Sequence, residues 1–167
     1  MNMLHKTGPD EGQSLSVGGN TYRILITGAQ SGGAYTSIEM LVPPGGGPGP
    51  HAHPAWQESF YVIEGEIEVA SEEGVYIARE GSLVNIPLGG MVHCFKNKSG
   101  KLARLLCTVV PAGMDDFFLE FGVPVENGVF LPPPVMTPEL AAKMKAVAGK
   151  YGQQLFPPDY LDHYRQP

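Results

Sequence analysis

The chain has 167 residues, including 22 Gly and 16 Pro, and carries a formal net charge of -6. At roughly 150 residues per domain this is one folded unit, and 43% hydrophobic residues suffice for a core without disulfide staples. An acidic chain with no basic cluster excludes an electrostatic nucleic-acid binder, no apolar run nears the roughly 20 residues of a membrane span, and the Gly and Pro excess excludes a helical bundle in favour of short strands.

Residues 21–27 (TYRILIT) predict a first strand and residues 35–42 (YTSIEMLV) a second, both rich in β-branched and aromatic side chains. The stretch 43–50 (PPGGGPGP) holds neither a helix nor a central strand. It reads as a turn rather than a phosphate loop, because no Lys-Ser/Thr pair ends it and no helix follows. Strands then succeed one another: 59–69 with a corner at Glu64-Gly65, 75–79, 83–87, 92–97 and 102–110. Turn signals at such intervals suit a sandwich or barrel. Residues 113–122 predict a short helix, and Pro132, Pro133 and Pro134 a stiff linker. Thr137 then caps a second helix, with Pro138 at its first position and Gly152 as its stop. Its stripe of Leu140, Met144, Val147 and Tyr151 is expected to pack against the outside of the barrel or a partner subunit. Residues 157–167 read as a loosely attached tail. The first residues lack the apolar centre of a signal peptide, so a cytoplasmic location is expected, where Cys94 and Cys107 stay free thiols.

Three of the five histidines form a pattern with one carboxylate: His51, His53, Glu58 and His93. In a strand, residues i and i+2 share a face, so His51 and His53 can converge on one ion. The rival reading of this pair alone is an exposed loop after a Gly/Pro run. Glu58 tips the balance, because a carboxylate opening the strand FYVIEG needs a partner if it is buried. Three imidazoles and a carboxylate suit Fe, Mn, Ni, Cu or Zn. Phe60 and Val62 share the parity of Glu58, and Phe95 that of His93, so all three are expected to face the same interior. Trp56 and Met91 sit in turns beside the ligands, at the pocket mouth or packed on the surface. Cys94 points away from the site and packs, Cys107 is core, Asn97 fixes a turn, and His5 and His163 are exposed or structural.

His51-Ala52-His53, four residues, Glu58, six residues and Gly65 match H-x-H-x4-E-x6-G, the first motif of the cupin superfamily, which the chain resembles. The second motif, G-x5-P-x-G-x2-H-x3-N, is met by Gly81, Pro87, Gly89, His93 and Asn97. One departure occurs: Gly90, Met91 and Val92 stand between Gly89 and His93, where the motif has two residues. The extra residue is expected in the turn, since the His93 to Asn97 spacing is kept. The resemblance covers residues 20–111, and residues 112–167 resemble the extension of quercetin-dioxygenase-like single-domain cupins.

The resemblance implies an all-β fold, the cupin double-stranded β-helix with a short C-terminal helical extension. It divides the chain into an N-terminal arm (1–20), a barrel (21–111) and an extension with tail (112–167). His51, His53, Glu58 and His93 become the ligands of one divalent metal. It also implies a homodimer, with residues 21–27 as the exposed edge that pairs. The activity implied is dioxygenase-like, on an aromatic, flavonoid- or polyketide-like small molecule, with Glu58 bound to the ion or acting as general base. The alternatives are a non-oxidative cyclase or isomerase and a non-catalytic small-molecule-binding cupin; no nucleic acid or membrane is expected as partner.

Overall fold

The computed structural model describes residues 4–165. In chain order it holds β1 (Ser14–Val17), β2 (Asn20–Ile26), β3 (Thr36–Val42), β4 (His51–Ala52), β5 (Gln57–Glu64), β6 (Glu66–Ser71), β7 (Gly74–Arg79), β8 (Leu83–Ile86), β9 (His93–Lys96), β10 (Ala103–Val110), α1 (Met114–Phe121), β11 (Val123–Val125), α2 (Pro138–Lys150) and β12 (Gln154–Leu155). The strands form a seven-stranded sheet, β11-β1-β2-β3-β10-β5-β8, and a five-stranded sheet, β12-β4-β9-β6-β7. Every pairing is antiparallel. The sheets are amphipathic: along β10, Ala103, Leu105, Cys107 and Val109 are buried, and the residues between them are less so. These inward side chains meet Ile38, Met40, Phe60, Val62, Ile67 and Phe95 in one core between the sheets.

Two strands of the large sheet lie outside residues 21–111. Residues 14–17 are not a bare arm: they pair with β2 through a two-residue turn, Gly18-Gly19, at φ +58 and +90. Both turn residues are left-handed, a type I′ arrangement whose twist matches that of the flanking strands. Leu15 drops into the core from this hairpin. β11 then pairs with β1, so β2, expected as the exposed edge, is flanked by β1 and β3. The edges of the two sheets are β11 and β8, and β12 and β7.

The extension differs from expectation at its end. Thr137 caps α2 by accepting from the Leu140 amide, and α2 stops as expected at Gly152, at φ +72, where Gln153 N–H bonds the Ala148 carbonyl at 2.8 Å. The stripe of α2 engages through its C-terminal half: Val147 is buried and Tyr151 meets Phe117 of α1, while Leu140 and Met144 are only partly covered. The tail is not loose. β12 pairs with β4, Tyr160 donates to Glu72, Arg165 pairs with Glu68, and Leu161 is buried at 1% exposure. Leu161 fills a second apolar cluster with Ala52, Ala70, Val92 and Cys94 on the back of the small sheet. The physical reason is that this sheet leaves an apolar outer face, which the tail covers. Among the described residues, no helix is long and apolar enough to cross a membrane.

Candidate metal centre

The Gly/Pro run ahead of β4 is pinned across the end of β9: Gly45 N–H bonds the Asn97 carbonyl at 2.7 Å, and Asn97 N–H bonds the Gly46 carbonyl at 2.9 Å. The Asn97 side chain donates to the carbonyls of Val42 and Lys101 and accepts from Ser99, fixing the turn as expected. The chain then enters β4, whose His51 lies opposite His93 at the start of β9. A turn closed by Trp56 N–H on the His53 carbonyl leads into β5, where Glu58 is the first inward residue. The extra residue of the second motif is absorbed in the turn at 88–90, and His93 still faces inward, fully buried.

One ligand atom from each of His51, His53, Glu58 and His93 lies within 4.8 Å of the others. His53, Glu58 and His93 are 1%, 3% and 0% exposed, while His51 is partly exposed. Glu58 Oε2 lies 3.0 Å from His53 Nε2 and 3.4 Å from His93 Nε2. The other ring nitrogens face main-chain carbonyls: His51 Nδ1 that of Gly49 at 2.9 Å, His53 Nδ1 that of Trp56 at 3.1 Å, and His93 Nδ1 that of Met91 at 2.9 Å. A carbonyl only accepts, so each Nδ1 carries a proton and each Nε2 faces the cluster, where a metal ion would replace the proton that His53 Nε2 donates to Glu58. His93 Nε2 is buried and has no hydrogen-bond partner, which a cation would satisfy. The four residues could therefore hold a metal ion, and their mixed N/O donors suit a divalent transition metal.

The electrostatics follow from burial and proximity. Burial works against the Glu58 carboxylate, but the hydrogen bond from His53 and the charges of His53 and His93 outweigh it and hold its carboxyl well below the usual range. Burial likewise opposes a charged His53, yet Glu58 outweighs it and raises the imidazole. Burial, and then His93, lower His51 to about 4, so its ring is neutral at pH 7.

Phe60, Val62 and Phe95 face the interior as expected and belong to the main core, Phe60 meeting Phe95 edge-on at 5.2 Å. Trp56 is buried with its ring 6.2 Å from that of His53, and Met91 is partly buried against the core. Both turn residues also orient candidate ligands, His53 and His93, through their main-chain carbonyls, a role that side-chain patterning does not reveal. Cys94 faces away from the site into the second cluster. Cys107 is core as expected, but its thiol also donates to Glu58 Oε1 at 3.2 Å. Burial and the nearby Glu58 charge push that thiol up, so it stays protonated. Tyr22 is a second inward polar side chain, and burial followed by the Glu58 charge raises its phenol. The alternation of 103–109 places Cys107 inward, but only the pairing of β10 with β5 brings it to Glu58. Surface hollows lined by Lys6, Glu11 and Gln30, and by Glu66, Arg79 and Lys101, share no residue with the centre.

Residues 38–109 match the family model described as a cupin domain. The chain is 24% identical over 120 residues to quercetin 2,3-dioxygenase of Bacillus subtilis (strain 168), covering 72% of this chain but 35% of that protein. It thus spans about a third of the length of this curated relative. Among solved structures it is similar to KdgF from Halomonas sp. (TM-score 0.59, 16% identity, 69% of this chain and 99% of that one). It is also similar to the polyketide cyclase RemF from Streptomyces resistomycificus (TM-score 0.57, 23% identity, 84% and 98%). A predicted oxalate decarboxylase from Thermotoga maritima shares the fold as well (TM-score 0.56, 18% identity, 65% and 99%). With both histidine motifs lodged in two facing antiparallel sheets, the chain has the cupin fold, and residues 38–109 match a cupin domain.

Proposed function

We propose that His51, His53, Glu58 and His93 hold one divalent transition metal and that the chain acts as a dioxygenase-like oxidoreductase on a small aromatic, flavonoid- or polyketide-like molecule. The observation that supports this reading most is the convergence of three Nδ1-anchored imidazoles and one carboxylate beside an apolar interior. A bound metal would supply Lewis-acid stabilisation of an enolate or phenolate oxygen. The main-chain carbonyls of Gly49, Trp56 and Met91 hold the rings in place, so no reorganisation is needed when substrate arrives. Glu58, ionised at neutral pH, either stays on the metal or takes the substrate hydroxyl proton, in both cases through Oε2, the oxygen turned into the cluster. Phe60, Val62, Phe95, Trp56 and Met91 keep the neighbourhood apolar, which suits a flat ligand and excludes water. The similarity to a quercetin 2,3-dioxygenase supports the same substrate class.

A second reading, non-oxidative cyclisation or isomerisation by the same base, is favoured by the similarity to RemF, which covers 84% of the chain. Elemental analysis of protein purified without added metal, followed by flavonol turnover with dissolved oxygen monitored, separates the two. Oxygen consumption with substrate loss, abolished by Glu58→Gln, is the expected result. Turnover under strict anaerobiosis would move the reaction to the second reading, and no metal uptake on titration would overturn both. The reading also expects a second copy of the chain as partner and a cytoplasmic location, supported by the family resemblance and by two buried, unpaired thiols.

A further inference from the structure

The two oxygens of Glu58 have different partners. Oε2 is turned toward His53 and His93, within the ligand cluster. Oε1 accepts from the Cys107 thiol at 3.2 Å. The contact is built by sheet register: on β10, Val109 lies opposite Glu58 of β5, and Cys107 lies opposite Phe60, the next inward position. Cys107 is therefore the diagonal inward neighbour of Glu58, and its side chain spans the offset. It is fully buried, so no water competes for the second oxygen from that side.

We infer that Cys107 is a positioning residue: its thiol holds Oε1 so that Glu58 presents a single oxygen, Oε2, to a metal bound by the three histidines. A carboxylate free at both oxygens can chelate a metal through both or swing out of the cluster. One tied at Oε1 does neither without giving up that hydrogen bond in a buried site, where it is not replaced by water. Residues that hold ligands in this way typically change metal affinity by about 10–100-fold when removed. The inference rests on the metal-centre reading for its consequence, but the hydrogen bond itself does not.

Two substitutions separate the donor from mere bulk. Cys107→Val loses the donor and adds one methyl group, whereas Cys107→Ser keeps a donor and loses volume. Cobalt(II) titration reads both affinity and, through its visible absorption, the number of coordinated atoms. Cys107→Val should bind cobalt about 10–100-fold more weakly, with a spectrum changed by the second carboxylate oxygen, while Cys107→Ser keeps the wild-type values. In metal-free protein carrying Cys94→Ala, the infrared S–H band of Cys107 should lie at the low frequency of a hydrogen-bonded thiol and rise in Glu58→Gln. A Val variant indistinguishable from wild type overturns the positioning role. Wild-type protein that takes up no cobalt instead overturns the metal centre, and an S–H band indifferent to Glu58→Gln overturns the hydrogen bond.

Discussion

Leu161 is the sharpest test of how the C-terminal tail serves the site. Its side chain is 1% exposed and lies against Ala52, Val92 and Cys94, which adjoin His51, His53 and His93 in sequence. Leu161→Ala removes three carbons, about 2.4 kcal/mol of transfer free energy at ~0.8 kcal/mol per methylene. The cavity adds to this, but the tail can settle partly onto the sheet, so the lower part of the ~2–5 kcal/mol range for such substitutions applies, about 2–3 kcal/mol. For a domain of this size each kcal/mol shifts the thermal midpoint by about 2–4 °C, giving a fall of about 4–12 °C. The same substitution should weaken metal binding, because β4 is only two residues long and is held on one side by β12, where Leu155 pairs with His51. Circular-dichroism melting of metal-free protein measures the first effect, and calorimetric metal titration the second. A midpoint within about 2 °C of wild type would refute the packing argument, since that is the effect of a single kcal/mol or less. A lowered midpoint with unchanged metal affinity would refute the link between tail and site.

In metal-free protein, the raised His53 contributes stability that is full below its ordinary 6.5 and is lost as pH rises through its elevated value. His51, lowered to about 4, costs stability as pH falls below 6.5, because the unfolded chain takes up a proton that the folded one refuses. Glu58, lowered from 4.5, adds a further loss below that pH. The cluster therefore places a stability maximum near pH 6.5; a melting midpoint still rising toward pH 8 would contradict it, and Glu58→Gln should remove the alkaline fall. Gly47 has φ +121, and a Cβ there would lie 2.1 Å from the Phe95 carbonyl oxygen. Gly47→Ala should therefore lower the urea midpoint by an amount corresponding to at least ~2 kcal/mol, and an unchanged midpoint would show that the lead-in does not pack against β9.

Much of the site was legible because its geometry is local. His51 and His53 are two residues apart, Glu58 shares its face with Phe60 and Val62, and Gly, Pro and Asn97 mark the turns that set these residues in place. The short-range rules of strand alternation, helix capping and turn chemistry likewise placed eight of the strands and both helices within a few residues. The Gly18-Gly19 hairpin was also local, and a two-residue Gly-Gly loop was the signal for it.

Local sequence thus supplies the four candidate ligands, their order and the faces on which they stand. Tertiary structure alone decided which strands lie side by side, since pairing joins residues far apart in the chain and leaves no local trace. That pairing covers β2 with β1, lays the tail behind β4, and sets Cys107 of β10 beside Glu58 of β5. It also decided which nitrogen of each imidazole turns into the cluster, because the carbonyls of Gly49, Trp56 and Met91 take their place from backbone conformation rather than from side-chain identity.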